Sequence, residues 1–550
     1  MLRRLRTAPT EPVAPVRSAR GTALPMLFAS LAGAASVLSL APVGWWPIQF
    51  LTFAFLFYQV GMDTSVRRST LVGWAFGFGW SVAGMHWLYI ALTRFGGLAA
   101  PLAVVALCLL GTYMGLFGAL ATGAATWLRR RWSLPVAAFV LLVLPFCWGL
   151  SEWMRGWVFT GFPWAASGYA HNGAPLGGFA PLVGVYGIGV LAALCGACLV
   201  MLTQRRRVAA VGIMAALLAG GHALRMVEWT HPQGAPISVR LVQGNISQSE
   251  KFTVEHLGKI LGVYHDLVTA APADLIATPE TAIPIFPHQL PEGYLEGMAA
   301  YAGRTNSHLL LGIPLMDPDG RYTNSVLGIA RHVPPYRFDK AHLVPFGEFV
   351  PPGFRWFIDL MRIPLGDNKR GAPLQGAFAV KDQLVLPNVC YEDVFGEEIA
   401  HQLRSAARPA TMLLNVSNLA WYGESVAIAQ HLQMSQMRSL ETGRPMLRAT
   451  NTGATAVIDA RGEVQARLAP YVRGTLAATV QGMAGMTPYI LLGNYLLLAL
   501  AALSFAAAWL LGRRYRTSSE KNSEKSSEQS SETSSKTRSK TSLDTASKVA

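Results

Sequence analysis

Long uninterrupted apolar runs fill the first 225 residues and return once near the C-terminal end. A bilayer core about 30 Å thick asks for roughly 20 apolar residues in helix. Runs at 24–40, 47–62, 71–92, 98–128, 134–150, 182–202, 208–224 and 489–511 meet or approach that length. They predict about eight transmembrane helices, seven before residue 225 and one after residue 488. The second run is short, and the fourth is long enough to tilt or break. The basic leader before the first run, with many spans behind it, predicts a retained anchor rather than a cleaved signal peptide. Between 236 and 481 short aliphatic runs alternate with amphipathic stretches, the pattern of a soluble α/β domain. Strands are predicted at 237–243, 275–278, 308–314, 325–331, 384–389, 411–416, 445–450, 454–459 and 475–480. Helices are predicted at 254–270, 292–302, 394–403 and 425–442. After Arg516 the chain repeats Ser, Glu and Lys without an apolar face, which predicts a disordered tail.

Composition agrees with this division and charge refines it. Only 14% of the 550 residues are charged, against about 25% in soluble proteins. The formal net charge is nevertheless +15, which alone would suggest a nucleic-acid partner. Position argues otherwise. Arg3, Arg4, Arg6, Arg17 and Arg20 precede the first span, and Arg67 and Arg68 follow the second. Arg129, Arg130 and Arg131 follow the fourth, Arg205, Arg206 and Arg207 the sixth, and Arg513, Arg514 and Arg516 the last. Every cluster falls on the same side. The segments on that side hold 22 basic and 7 acidic residues, leaving 24 of each elsewhere. The positive-inside rule makes that side cytoplasmic. The predicted organisation is a cytoplasmic N-terminus (1–23), a membrane domain (24–224), an outer α/β domain (225–487) that is periplasmic in a bacterium, a C-terminal membrane helix (488–511) and a cytoplasmic tail (512–550). Both termini are expected in the cytoplasm, and no nucleic acid is expected as a partner.

Five cysteines are too few for a disulfide scaffold. Cys108, Cys147, Cys195 and Cys198 lie in apolar runs. The C-x-x-C of Cys195 and Cys198 has no second pair and no nearby histidine, and reads as helix packing. Cys390 is the lone thiol of the outer domain. It ends a strand-like run, LVLPNVCYED, and Tyr391, Glu392 and Asp393 follow at once. A nucleophile at such an elbow projects into a cleft, where following backbone N–H groups can serve an oxyanion. A thiol of pKa about 8.5 needs a partner to ionise, and His342 and His431 are candidates. Glu280 ends an apolar strand in LIATPETAIP, while Lys340 and Glu348 sit in the irregular YRFDKAHLVPFGEFVP; the plain alternative for each is a solvated loop charge. In the membrane domain Glu152 and Arg155, beside Trp153 and Trp157, read as snorkelling at an interface, with a lipid-guiding role as the alternative. His86 and His222 read as packed or interfacial. No metal or nucleotide motif is found, so no cofactor is expected.

The order Glu280, Lys340, Cys390 resembles the nitrilase superfamily, whose Glu-Lys-Cys triad sits on an α-β-β-α sandwich. The strings KAHLVPFGEFVP, NVCYED, NVSNLAWYG and QHLQMSQMRSLETGRPMLRATNTG, with RGWVFTGFPW among seven plus one spans, resemble its membrane-embedded branch, the apolipoprotein N-acyltransferase family of the bacterial inner membrane. The resemblance covers the chain apart from its first residues and its tail. It implies a polytopic α-helical membrane domain plus a periplasmic nitrilase-like sandwich. It also implies acyl transfer from a phospholipid, expected to be phosphatidylethanolamine, through a Cys thioester in a ping-pong mechanism. The acceptor would be the N-terminal amine of diacylglyceryl-cysteine apolipoproteins, and the enzyme would be a monomer. In that reading Cys390 is the nucleophile, Glu280 the general base and Lys340 the oxyanion stabiliser. Glu348 orients Lys340 or the amine, and Tyr391, Glu392 and Trp421 bind substrate or support the site. Two positions depart from the pattern: Leu419 where relatives commonly have Asp, and Phe252 where some have Trp. The rival readings are a membrane-tethered nitrilase-type amidase and a non-enzymatic transporter or receptor with a degenerate nitrilase-like domain. The intact triad argues against the second.

Overall fold

The apolar runs of the first half fold as helices. The computed structural model describes residues 21–203, 207–351, 353–355 and 368–546, with side chains as far as Glu520. It gives α1 (Ala23–Ser36), α2 (Pro47–Gly61), α3 (Val66–Gly84), α4 (Ala100–Trp132), α5 (Leu144–Arg155), α6 (Ala180–Met201) and α7 (Arg207–Leu224). Among the described residues, five helical stretches are long and apolar enough to cross a membrane by length and composition: Ala100–Trp132, Val136–Arg155, Pro175–Met201, Arg207–Leu224 and Tyr495–Glu520. Ala23–Ser39 and Pro47–Gly61 are apolar but shorter. Small residues let α3 and α4 approach closely, Gly73 lying against Gly118 and Thr122.

One end of this bundle collects basic side chains. Arg129 donates to the carbonyls of Gly61 (2.8 Å) and Asp63 (3.2 Å), and Arg68 pairs with the Asp63 carboxylate at 3.1 Å. Gly512, just before Arg513, lies against the carbonyl of Trp132. The predicted basic N-terminus (1–20), Arg205 and Arg206 lie outside the described residues.

The outer domain runs β1 (Ile237–Gln243), α8 (Val254–Thr269), β2 (Leu275–Ala277), α9 (Tyr294–Thr305), β3 (His308–Met316), β4 (Tyr322–Ile329), β5 (Tyr336–Asp339), β6 (Phe378–Val380) and β7 (Gln383–Val389). It continues through α10 (Gly396–Ser405), β8 (Met412–Ser417), α11 (Ala427–Thr442), β9 (Met446–Thr450), β10 (Ala456–Ile458), β11 (Val464–Arg467) and β12 (Gly474–Val480). The strands form two six-stranded sheets, ordered β12-β1-β2-β3-β4-β5 and β11-β10-β9-β8-β7-β6. In each, the central three strands are parallel and the outer pairings antiparallel. Alternation along the strands aims one set of side chains inward. Val239, Leu241, Leu275, Leu310 and Phe338 meet Val385, Val389, Met412, Leu414 and Met446 in a core between the sheets. The opposite parity faces helices, as Val242, Ile276 and Leu309 pack on Ile260, Tyr264 and Met298 of α8 and α9.

The outer face of the second sheet carries α10 and α11. Met434, Met437 and Leu440 of α11 join a core that includes Tyr169, Tyr186 and Trp148 from the membrane-domain side. That core is continuous from the helical bundle into the sandwich.

Three edge strands, β5, β6 and β11, were not anticipated by the hydrophobic pattern. Each has three or four residues, and β5 and β11 carry Arg337, Asp339, Gln465 and Arg467, so no apolar alternation develops. β4 begins at Tyr322 rather than at residue 325, which brings Asn324 into the sheet. The last helix, α12 (Tyr495–Ala546), runs on past residue 512. No Gly or Pro follows Gly512 to end it.

Candidate active site

Strand ends of both sheets deliver polar side chains to one place between them. After β2 the chain turns sharply, with Thr281 at φ +50°. Gly312 of β3 packs so tightly under this turn that a Cβ there would lie 2.0 Å from the Pro279 carbonyl oxygen. The Thr278 hydroxyl accepts the Gly312 N–H at 3.0 Å. This turn presents Glu280. Lys340 follows β5 directly, and its backbone N–H bonds to the Asn324 carbonyl at 2.8 Å. Cys390 follows β7 at φ +52° and opens a single helical turn, Cys390–Val394. A non-glycine residue in that region is strained and is held there by its surroundings.

The surroundings are visible. Glu392 sends its carboxylate back under the elbow, accepting N–H groups from Val389 (2.6 Å), Ala341 (2.6 Å) and His342 (3.1 Å). One buried carboxylate thereby ties the Cys390 turn to the segment that carries Lys340. Burial pushes Glu392 up to about 7 against the pull of those donors. The Tyr391 hydroxyl donates to the Gly161 carbonyl (3.0 Å) in the loop after α5.

At the centre, Lys340 Nζ lies 3.3 Å from Glu280 Oε1 and 2.9 and 2.8 Å from the two oxygens of Glu348. Lys340 is 1% exposed and Glu280 7%. Asn324 Nδ2 donates to both carboxylates, at 2.7 Å to Glu280 and 2.9 Å to Glu348. The Asn418 backbone N–H, just after β8, donates to Glu280 Oε2 at 2.9 Å. The Cys390 thiol stands close enough to the Glu280 carboxylate and the Asn418 N–H for them to perturb its ionisation.

Electrostatics follow from this packing. Burial works against the Glu280 carboxylate, but Lys340, Lys251 and the hydrogen bonds from Asn324 and Cys390 outweigh it and hold the group below the usual carboxylate range. Burial likewise opposes the Lys340 ammonium, yet Glu348 and Glu280 keep it well above the usual lysine value. Burial, then the Glu280 charge, pushes the Cys390 thiol up, with Lys340 pulling the other way. The resting arrangement is therefore a neutral thiol beside an ionised carboxylate and an ammonium.

The residues picked out in the sequence thus divide. Glu280, Lys340, Glu348 and Cys390 converge, while Tyr391 and Glu392 lie behind the elbow. Trp421, 41% exposed, meets Phe95 edge to face at 5.4 Å, and Phe252 is 62% exposed. Leu419, the other departure, is buried with Ile428 and Ala454, and Cys390 packs against that cluster. Neither histidine serves Cys390. His342 bridges Glu398 and the Thr160 carbonyl, each at 2.8 Å. His431 bonds Asp393 (2.8 Å) and Arg448 (2.9 Å). Glu152 and Arg155 do not snorkel: both are buried. Glu152 accepts the Ser167 N–H (2.9 Å) and hydroxyl (2.5 Å), and Arg155 donates to the carbonyls of Phe162 (3.2 Å) and Trp164 (2.7 Å). They shape the loop that Tyr391 and Gln433 of the sandwich contact through Gly161 and Asn172. Asn324, Asn418 and Lys251 were missed, because each stands beside other polar residues in the sequence and gives no local signal.

The known proteins that resemble this chain fit the site and the helices together. Residues 32–198 match the apolipoprotein N-acyltransferase N-terminal domain, and residues 238–489 match the carbon-nitrogen hydrolase family. An apolipoprotein N-acyltransferase of Ralstonia nicotianae is 47% identical over 493 residues, covering 89% of this chain and 94% of the relative. Those of Bordetella bronchiseptica and Nitrosomonas europaea are each 42% identical, cover 88% of this chain, and are themselves covered over 96% and 97%. With likeness running through both the membrane helices and the domain that holds Cys390, the chain belongs to the apolipoprotein N-acyltransferase family.

Proposed function

We propose that this protein transfers an acyl chain from a phospholipid, phosphatidylethanolamine in the first instance, to the N-terminal amine of diacylglyceryl-cysteine apolipoproteins through a thioester on Cys390. The observation that carries the reading is the buried cluster in which Lys340 bonds Glu280 and Glu348 beside the Cys390 thiol. As Sγ attacks the ester carbonyl, Glu280 accepts the thiol proton. Lys340 donates to the oxyanion that forms, a contribution of about 3 to 4 kcal/mol for a well-placed donor. On collapse the C–O bond breaks, Glu280 returns the proton to the glyceryl oxygen, and lysophospholipid leaves. The free α-amine of the apolipoprotein then attacks the thioester. Glu280 takes one of its protons and delivers it to Sγ as the C–S bond breaks, giving the amide and the starting thiol. A thioester suits the second half because amines attack it readily, so two lipid substrates use one site in turn. Glu348 holds Lys340 in line, Tyr391 and Glu392 support the elbow, and Trp421 borders the substrate.

The reading extends to topology. Eight spans carry the chain across the bacterial inner membrane, with both termini cytoplasmic, residues 225–487 in the periplasm, and a monomer as the working unit. It is supported by the basic side chains gathered at one end of the bundle and by the opposite end holding the sandwich.

The test is incubation of the purified protein with acyl-labelled phosphatidylethanolamine, followed by mass spectrometry of the Cys390 peptide. A thioester adduct is expected in the wild type and none in Cys390→Ala. No wild-type adduct, or equal labelling of the variant, overturns the acyl-enzyme. Hydrolysis of small amides without transfer to an amine would favour the amidase instead.

A further inference from the structure

Lys251 is a second buried lysine at this site and has no part in the chemistry above. It sits in the turn between β1 and α8, next to the exposed Phe252, and is 2% exposed. Its Nζ donates to the backbone carbonyl of Glu280 at 3.1 Å. That carbonyl belongs to the turn already fixed by Thr281 and Gly312, so Lys251 clamps the one peptide from which the Glu280 side chain departs.

The charges make a second argument. Glu280 and Glu348 bring two negative charges to Lys340, leaving a deficit of one positive charge in a buried place. Any step that adds a thiolate or an oxyanion would deepen that deficit. Lys251 cancels it. The titratable groups around Glu280 are Lys340, Lys251, Glu348, Cys390 and Tyr422, with Glu392 behind the elbow; Asn324 and Asn418 add neutral donors. When Lys340 turns toward an oxyanion, Lys251 is the cation that stays with Glu280.

We propose that Lys251 is a positioning residue of the acyl-transfer site, anchoring the Glu280 turn through its carbonyl and supplying the positive charge that keeps Glu280 ionised while Lys340 serves the oxyanion. The inference rests on Glu280 acting as base to Cys390. Burial lowers Lys251 to about 8, with Glu280 and Cys390 pulling it back up, so it is cationic across the neutral range.

The experiment compares Lys251→Met, Lys251→Gln and Lys251→Arg with wild type in two assays over pH: thioester formation from labelled phosphatidylethanolamine, and alkylation of Cys390 by iodoacetamide, which needs no lipid. Removing a cation raises the Glu280 pKa, so the acid limb of both profiles should move up by about one pH unit in the Met and Gln variants. Lys251→Arg should leave the limb in place. Lost anchoring should also slow the plateau of Lys251→Met roughly tenfold or more. An unmoved limb in both neutral variants overturns the electrostatic role, even if rates fall. If wild type forms no thioester, the acyl-transfer reading fails, while the alkylation limb still decides whether Lys251 acts on Glu280. Should Lys251→Met misfold, Lys251→Gln retains an N–H donor and carries the same test.

Discussion

Cys390 rests as a thiol because burial and the neighbouring Glu280 charge both disfavour its thiolate. Proton removal must therefore accompany attack, and the base must be ionised. Glu280 is held below the usual carboxylate value of 4.5, so thioester formation should be level from neutral pH downward and fall only as pH drops through that depressed value. Following thioester formation against pH checks this; an acid limb above pH 5 would contradict the Lys340–Glu280 pairing. Glu280→Gln should cost about 10²- to 10⁴-fold. Glu280, Lys340, Glu348 and Cys390 were legible in the sequence because a charge or a lone thiol inside an apolar string stands out. Asn324, Asn418 and Lys251 were not. An amide, or a lysine near a chain turn, is ordinary at a surface, and only strand pairing reveals that these are buried.

Elements set the precision with which these groups meet. The strands of both sheets that lie between others were readable, since two packed faces demand near-continuous apolar runs. Of the four edge strands only β12 was readable, and β5, which delivers Lys340, is among the hidden three. The turn after β2 has little slack: a Cβ on Gly312 would lie 2.0 Å from the Pro279 oxygen and 2.8 Å from the Thr281 nitrogen. Gly312→Ala should displace Glu280 while leaving both sheets formed. Since a shift near 1 Å can cost about 10²-fold, thioester formation should drop by about that factor with an unchanged circular dichroism spectrum. Wild-type rates in this variant would mean that the turn is not what positions Glu280.

Across the whole molecule, sandwich and membrane helices are one packed body. α6 is broken at Gly184, φ +61°, where a Cβ would lie 2.2 Å from the Tyr489 ring. Glu441 of α11 accepts the Val185 N–H at the break (2.8 Å) and pairs with Arg438 at 3.0 Å. Trp87 and Trp164 both donate to the Gln430 side chain, at 3.2 and 2.8 Å. The site is thus fixed relative to the helices that would present lipid to it. A reporter fused after residue 516 should behave as cytoplasmic; an external reporter would reverse the proposed orientation. The sequence by itself determined the apolar helices, the α/β alternation, the one-sided charge and the residues Glu280, Lys340, Glu348 and Cys390, because period, charge and local strings are properties of neighbours along the chain. Tertiary structure alone decided that Asn324, Asn418 and Lys251 surround Glu280, that His342 and His431 serve other partners, and that Glu152 and Arg155 are buried. Apart from the loop contacts of Glu152 and Arg155, 7 to 15 positions away, those contacts join residues 17 to 182 positions apart, and pairing at that range is set by sheet register and packing, which no local pattern encodes.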